Sequence, residues 1–159
     1  MDAVTGRMIE RLIGKAKGIA ESRTIPVLQR LAMTVLVLNT DNSLGQEMAG
    51  QMYRPQNALM HQKMREQLLL GVNPLVTQLV EEGMEQGICQ TDYPAEAVEM
   101  AMLYSSISFD ALAEYNEESR QRKIKAFVYH LERLFGMEGN SLANIMMPFF
   151  MPNTDRLTV

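Results

Sequence analysis

The sequence is poor in cysteine, proline, glycine and long apolar runs, and each of these shortages excludes a class of protein. Its single cysteine, Cys89, excludes an intramolecular disulfide framework and fits a reducing compartment. The 6 prolines and 10 glycines are too few for a disordered or repetitive chain. No apolar run approaches the roughly 18 residues that cross a bilayer, and no export signal is evident. We therefore expect a cytoplasmic protein without a membrane partner.

Basic residues are too few and too scattered for a nucleic-acid-binding surface. The formal net charge is -4, whereas proteins that bind phosphates present clustered lysines and arginines. The basic group between Arg120 and Lys125 has acidic neighbours, which is typical of a solvated helix face. We expect this chain by itself to bind DNA weakly or not at all.

Catalytic and metal-binding patterns are also scarce. His61 and His130 stand alone, without a second histidine or a cysteine at metal-ligand spacing. Cys89 lies near the C-terminal end of a predicted helix, where the helix dipole opposes thiolate formation. We find no glycine-rich phosphate loop and no nucleophile elbow. The sequence therefore predicts no cofactor, no metal and no enzyme activity, with a helical active site built from distant residues as an alternative.

Helical periodicity is the feature that the sequence does have. Hydrophobic residues make up 47% of the 159 positions, which suffices for one domain with a core. Apolar residues recur every three or four positions, without strand-like alternation or an internal repeat. We predict an all-α protein of six or so helices in an antiparallel bundle, with one domain over residues 2–152 and a flexible tail over 153–159. The predicted helices cover about 2–21, 26–40, 43–53, 56–87, 94–115 and 116–136.

Local signals set several of these boundaries. Asn116 is a predicted N-cap, and Gly87 and Gly136 are predicted helix ends. Pro74 falls inside the fourth predicted helix and cannot donate a backbone hydrogen bond, so we expect a kink between Gly71 and Pro74.

The 14 methionines permit two interpretations. Methionine is flexible and polarisable, so any single one is most simply explained as core filling, whereas the group favours an adaptable apolar pocket. We place this pocket among the first, second, fourth and fifth predicted helices. The predicted ligand-binding residues are Met8, Met33, Met60, His61, Met64 and Tyr104.

Two further segments leave alternatives open. Ala97, Ala101 and Ser105 form a strip of small residues, which packs either within one chain or across two subunits, and spacing alone favours neither. The stretch from Ile145 to Met151 is strongly apolar. We favour packing of this stretch on its own core over covering a pocket or a partner subunit.

The middle of the chain resembles a known family. The resemblance rests on Asn-Pro-Leu at 73–75, Leu-Val-Glu-Glu-Gly-Met-Glu-Gln-Gly at 79–87, and Pro-Ala-Glu at 94–96 before a helix rich in alanine and serine. These segments are similar to the C-terminal domain of the tetracycline-repressor family. In that family a long kinked helix often ends in a Glu-Gly pattern and is followed by two dimerising helices. Here Glu82, Gly83 and Gly87 match the pattern with a spacing one residue wider.

The resemblance implies the effector-sensing and dimerisation domain of a transcription regulator, with a small, largely apolar ligand. It also favours a homodimer in which the last two long helices form a four-helix bundle. The predicted interface residues are Ala97, Ala101, Ser105, Phe127, His130, Leu131 and Leu134. Such regulators carry an N-terminal helix-turn-helix, which we do not find here. We therefore interpret the chain as truncated and expect DNA contact only through a missing domain. A homodimeric scaffold without a ligand is the alternative.

Overall fold

The computed structural model describes residues 3–40, 58–108 and 114–150. This part of the chain is built from α-helices and contains no β-strand, which confirms the predicted all-α class. The helices are α1 (Ala3–Glu21), α2 (Val27–Thr40), α3 (Ala58–Glu85), α4 (Pro94–Ser108), α5 (Glu117–Leu134) and α6 (Ala143–Phe150). The predicted helix over 43–53 lies outside the described residues.

The fifth predicted helix was expected to reach about Tyr115. Helix α4 is described as far as Ser108, and Tyr115 lies in a bend just before α5. The predicted end of this helix therefore falls partly outside the described residues.

The helices pack as two connected groups, α1 to α4 and α5 with α6. Helices α1, α2 and α3 contact one another, and α4 packs against α3. Helix α5 contacts α4 and α6, and α6 reaches back to α2, so the two groups share one core. The largest fully buried side chains of this core include Leu31, Leu79, Leu142, Phe135 and Met146.

Two glycines end helices as predicted. Gly87 has a φ of +76° and Gly136 a φ of +61°, in the left-handed region that glycine adopts without strain. After α3, the amide of Ile88 donates to the Gly83 carbonyl at 2.8 Å. After α5, the amide of Met137 donates to the Glu132 carbonyl at 2.7 Å. Both ends are therefore Schellman motifs.

Other local predictions have mixed outcomes. The Asn116 side chain accepts the amide of Ser119 at 2.8 Å and caps α5, as predicted. Pro74 lies inside α3, which continues on both sides of it. The predicted kink there stays a prediction.

The apolar segment near the C-terminus forms α6 as far as Phe150. Met146 is fully buried in the core, although Phe149 is 68% exposed. Because α6 contacts α2 and α5, this helix packs on its own protomer, which is the favoured interpretation of its sequence. Among the described helices, none combines the length and apolar character that spanning a membrane requires.

Candidate functional site

The predicted ligand-binding residues differ in their exposure to solvent. Met8 and Met64 are buried, Met60 is partly buried, and Met33 is exposed. Tyr104 is exposed on α4, where its ring stacks on Phe127 with 5.8 Å between ring centroids. The side chain of His61 lies outside the described part.

Met8 and Met64 lie towards the same end of the α1–α3 pair. Gly71 of α3 lies against the Ile13 side chain of α1, so closely that a Cβ atom at Gly71 would collide with it. Seven residues further along both helices, Ala20 and Gln78 line a common cavity. Helices α1 and α3 therefore run in the same direction. Met8 lies five residues before Ile13 and Met64 seven residues before Gly71, so the two are within about one helical turn of each other along this pair of helices.

A cavity of about 300 Å³ lies at the opposite end of these two helices. Its walls combine four glutamates with one arginine and a few apolar side chains. The lining residues are Ala20, Glu21, Arg23, Leu75, Gln78, Leu79, Glu81, Glu82 and Glu85. None of the predicted ligand-binding residues lines this cavity. Its walls are charged, whereas the predicted pocket is apolar.

A buried arginine connects the helices beside this cavity. Arg30 of α2 is 2% exposed. Its Nε donates to the Ile25 carbonyl at 2.8 Å, and its Nη1 donates to the Ala20 carbonyl at 2.9 Å. The two Nη atoms also donate to the Glu82 carboxylate, at 2.9 and 2.5 Å. This planar, two-point pairing is a geometry that arginine provides and lysine does not.

Arg30 lowers the pKa of the Glu82 carboxyl. The hydrogen bond from Arg30 lowers the pKa of Glu82 below its ordinary value of 4.5, and burial opposes this effect in part. The positive charges of Arg30 and Arg23 lower the pKa further. Sequence reasoning missed the pair. A signal was present, because Arg30 lies three residues after Val27 and four before Thr34, on the buried side of α2.

Most of the predicted interface residues lie inside the protomer. Ala97, Ala101, Ser105, Phe127 and Leu131 are all buried in the single chain. Small side chains allow α4 to approach its neighbouring helices closely. This arrangement is packing within one chain, one of the two interpretations that the sequence left open for the strip. Since these side chains are already covered, they leave little surface for a second copy.

The two remaining predicted interface residues lie nearer the surface of α5. His130 is exposed and Leu134 partly buried. The His130 ring meets Tyr129 edge-on at 5.1 Å, and the Arg133 guanidinium lies 3.3 Å from the centre of the Tyr129 ring. The exposed side of α5 is therefore both aromatic and charged.

The outer side of α4 carries an apolar face that sequence reasoning did not identify. Met100, Leu103, Tyr104 and Ile107 are between 49% and 64% exposed. Their spacing of three and four residues places them on one side of the helix, opposite the buried strip. We call these four residues the outer stripe. The sequence feature that could have indicated the outer stripe is the presence of apolar residues on all sides of α4.

Cys89 agrees with the prediction of an unreactive thiol. It is buried, and burial raises the pKa of its thiol to about 11. A Cβ atom added at Gly83 would lie 2.7 Å from the Cys89 Sγ, so the end of α3 packs closely against the Cys89 side chain. In the described residues, no three histidine, cysteine or acidic side chains are grouped as metal ligands.

Comparison with protein-family models identifies one match, described as "Tetracyclin repressor-like, C-terminal domain", over residues 40–129. The match covers more than half of the chain and includes α3, α4 and most of α5. No curated protein and no solved structure matches the sequence. Domains of this kind form the regulatory part of transcription regulators. The matched segment, together with the all-helical fold, shows that the chain belongs to the family of tetracycline-repressor-like C-terminal domains.

Proposed function

We propose that this domain senses a small, largely apolar effector and dimerises, and so controls the DNA-binding domain of a transcription regulator. In this proposal the protein has no enzymatic role and touches DNA only through that other domain. Effector binding would change the spacing of two DNA-reading units by shifting α1. Such control requires that the effector prefer one of two conformations.

The outer stripe of α4 is the observation that carries the proposal. The inner side of α4 is buried against the rest of the protomer, yet its outer side carries the apolar outer stripe, with exposed Glu96 and Glu99 one turn before it. A helix that is hydrophobic all round is normally buried all round, and a contiguous exposed apolar patch is typical of an interface. We propose a second copy of this chain as the partner, because a two-fold axis places the same stripe on both subunits.

Oligomeric state tests this interface directly. Leu103→Arg places a charge on the outer stripe, and we expect the dimer to dissociate while the helical content is retained. Ala95→Arg is the matched control, since Ala95 is exposed on the same helix but outside the stripe. Ala101→Arg should unfold the protomer instead, because Ala101 is buried within it. Sedimentation velocity and circular dichroism separate these outcomes.

A monomeric wild-type protein at high micromolar concentration would contradict the proposed dimer. A dimer that survives Leu103→Arg but dissociates with Ala95→Arg would place the interface elsewhere.

The effector is proposed to bind between α1 and α3, at the level of Met8 and Met64. Two adaptable side chains within about one turn of each other on neighbouring helices can move to suit a guest. Met64→Trp should obstruct the proposed site and abolish binding, whereas Met64→Leu, of similar volume, should preserve it. Binding is read from native mass spectrometry of the purified protein and from the fluorescence of anilinonaphthalene sulfonate. Equal binding by both variants would count against this location.

A further inference from the structure

Arg30 forms hydrogen bonds with three segments of the chain that meet at one end of the α1–α2–α3 group. Its guanidinium bonds to Ala20 in the last turn of α1, to Ile25 in the α1–α2 turn, and to Glu82 in α3. The guanidinium is almost completely buried, with 3% of the side chain exposed, whereas 26% of the Glu82 side chain is exposed. The C-terminal end of α1 is therefore attached to α3 through a side chain of α2.

We propose that Arg30 and Glu82 form a latch, which holds the end of α1 against α3 and lets it move when the ion pair opens. The latch rests on the proposed function for its purpose, since α1 is the helix expected to pass an effector signal onward. The opening of the pair is a property of this domain and requires no effector.

The chemistry of the pair favours two discrete states. Separating the guanidinium from one partner leaves a buried charge with unmet hydrogen bonds, so a partly displaced arrangement is unfavourable. The pair therefore opens as a unit. Ala20 and Glu82, two of the groups that Arg30 binds, also line the 300 Å³ cavity. This open volume gives the end of α1 space to shift without displacing core side chains.

Protonation of Glu82 is a means of opening the latch without a ligand. Its carboxylate is stabilised by Arg30 and, at longer range, by Arg23. The other charged side chains that line the adjoining cavity are Glu21 at the end of α1 and Glu81 and Glu85 on α3. Because the folded-state pKa of Glu82 is lowered, the latch is fully formed above pH 4.5 and is lost as the pH falls through that lower pKa.

Hydrogen exchange of backbone amides measures the opening. We compare the wild-type protein with Glu82→Gln and with Glu81→Gln, which removes the same charge from the exposed neighbouring position. At neutral pH we expect Glu82→Gln to speed exchange of residues 18–25 by about tenfold, while α5 is unchanged. Glu81→Gln should match the wild type.

The pH profile excludes a purely structural explanation. After correction for intrinsic exchange, the wild type and Glu81→Gln should show faster exchange of residues 18–25 below pH 4.5. Glu82→Gln should show no such step. If Glu82→Gln does not fold, the wild-type and Glu81→Gln profiles decide the question.

Three results would overturn the latch: uniform acceleration over all helices, equal acceleration by Glu81→Gln and Glu82→Gln, or a wild-type exchange profile without a step below pH 4.5. All of these measurements are made without an effector. Failure to detect an effector would therefore contradict the proposed function but not the latch. An exchange profile without a pH step would contradict the latch but not the proposed function.

Discussion

The Oε1 atom of Glu132, on α5, accepts the backbone amide of Leu142 at 3.0 Å. The same carboxylate accepts the amides of Ala143 at 2.8 Å and Asn140 at 3.0 Å. Glu132 and Leu142 are both buried. The first amides of a helix have no partner within that helix, and a carboxylate suits its positive end. Glu132 therefore fixes the start of α6 on α5.

Removal of this carboxylate should destabilise the domain. We expect Glu132→Ala to lower the free energy of unfolding by about 2–3 kcal/mol, because three amides lose their acceptor. Glu132→Gln keeps an acceptor oxygen and should cost about 1 kcal/mol. Glu10→Ala, at an exposed position on α1, is the control and should change stability by less than about 0.5 kcal/mol. Urea unfolding measures all three, and equal effects at Glu132 and Glu10 would contradict the role of the carboxylate.

The two Schellman glycines should respond differently to alanine. Both have a positive φ, so each substitution strains the backbone by about 1 kcal/mol. A Cβ at Gly136 would also collide with the Gln90 carbonyl, whereas a Cβ at Gly87 meets nothing within 4 Å. We therefore expect Gly136→Ala to cost at least about 2 kcal/mol more than Gly87→Ala. Thermal unfolding tests the difference, and similar melting temperatures would show that Gln90 yields without cost.

Cys89 should be inert in the folded protein. With a pKa of about 11, only about one thiol in a thousand is ionised at pH 8. We expect slow reaction with Ellman's reagent at pH 8 and fast reaction once urea unfolds the chain. The native thiol keeps its proton more firmly than the unfolded one, so stability should fall as the pH rises from 9 to about 11. Rapid labelling without urea would contradict the burial of Cys89.

Gly83 and Cys89 should be energetically coupled. A Cβ at Gly83 would lie 2.7 Å from the Cys89 Sγ, so Gly83→Ala should cost about 1–3 kcal/mol. Cys89→Ala removes the sulfur atom. In that background Gly83→Ala should be neutral or stabilising, because alanine favours the helix. A double-mutant cycle by urea unfolding measures this coupling, and simple additivity would mean that the two sites do not touch.

The helix ends and caps were readable from sequence because their causes are local. A glycine with a positive φ and an asparagine N-cap act within one turn of their own position, so Gly87, Gly136 and Asn116 carry the information themselves. The family resemblance was likewise visible in contiguous segments. The Arg30–Glu82 pair was not predicted, because its partners lie 52 positions apart and sequence spacing does not report which faces of two helices meet.

That this protein is helical, where several of its helices end, and to which family it belongs can all be inferred from the sequence alone. Which side of α4 faces inward depends on the packing of the folded chain. Apolar residues surround that helix, so its periodicity does not distinguish the buried strip at Ala97 and Ala101 from the outer stripe at Leu103 and Ile107. The small side chains of the buried strip allow a close approach to neighbouring helices, Val98 and Met102 fill the space beside them, and the outer stripe is left on the surface.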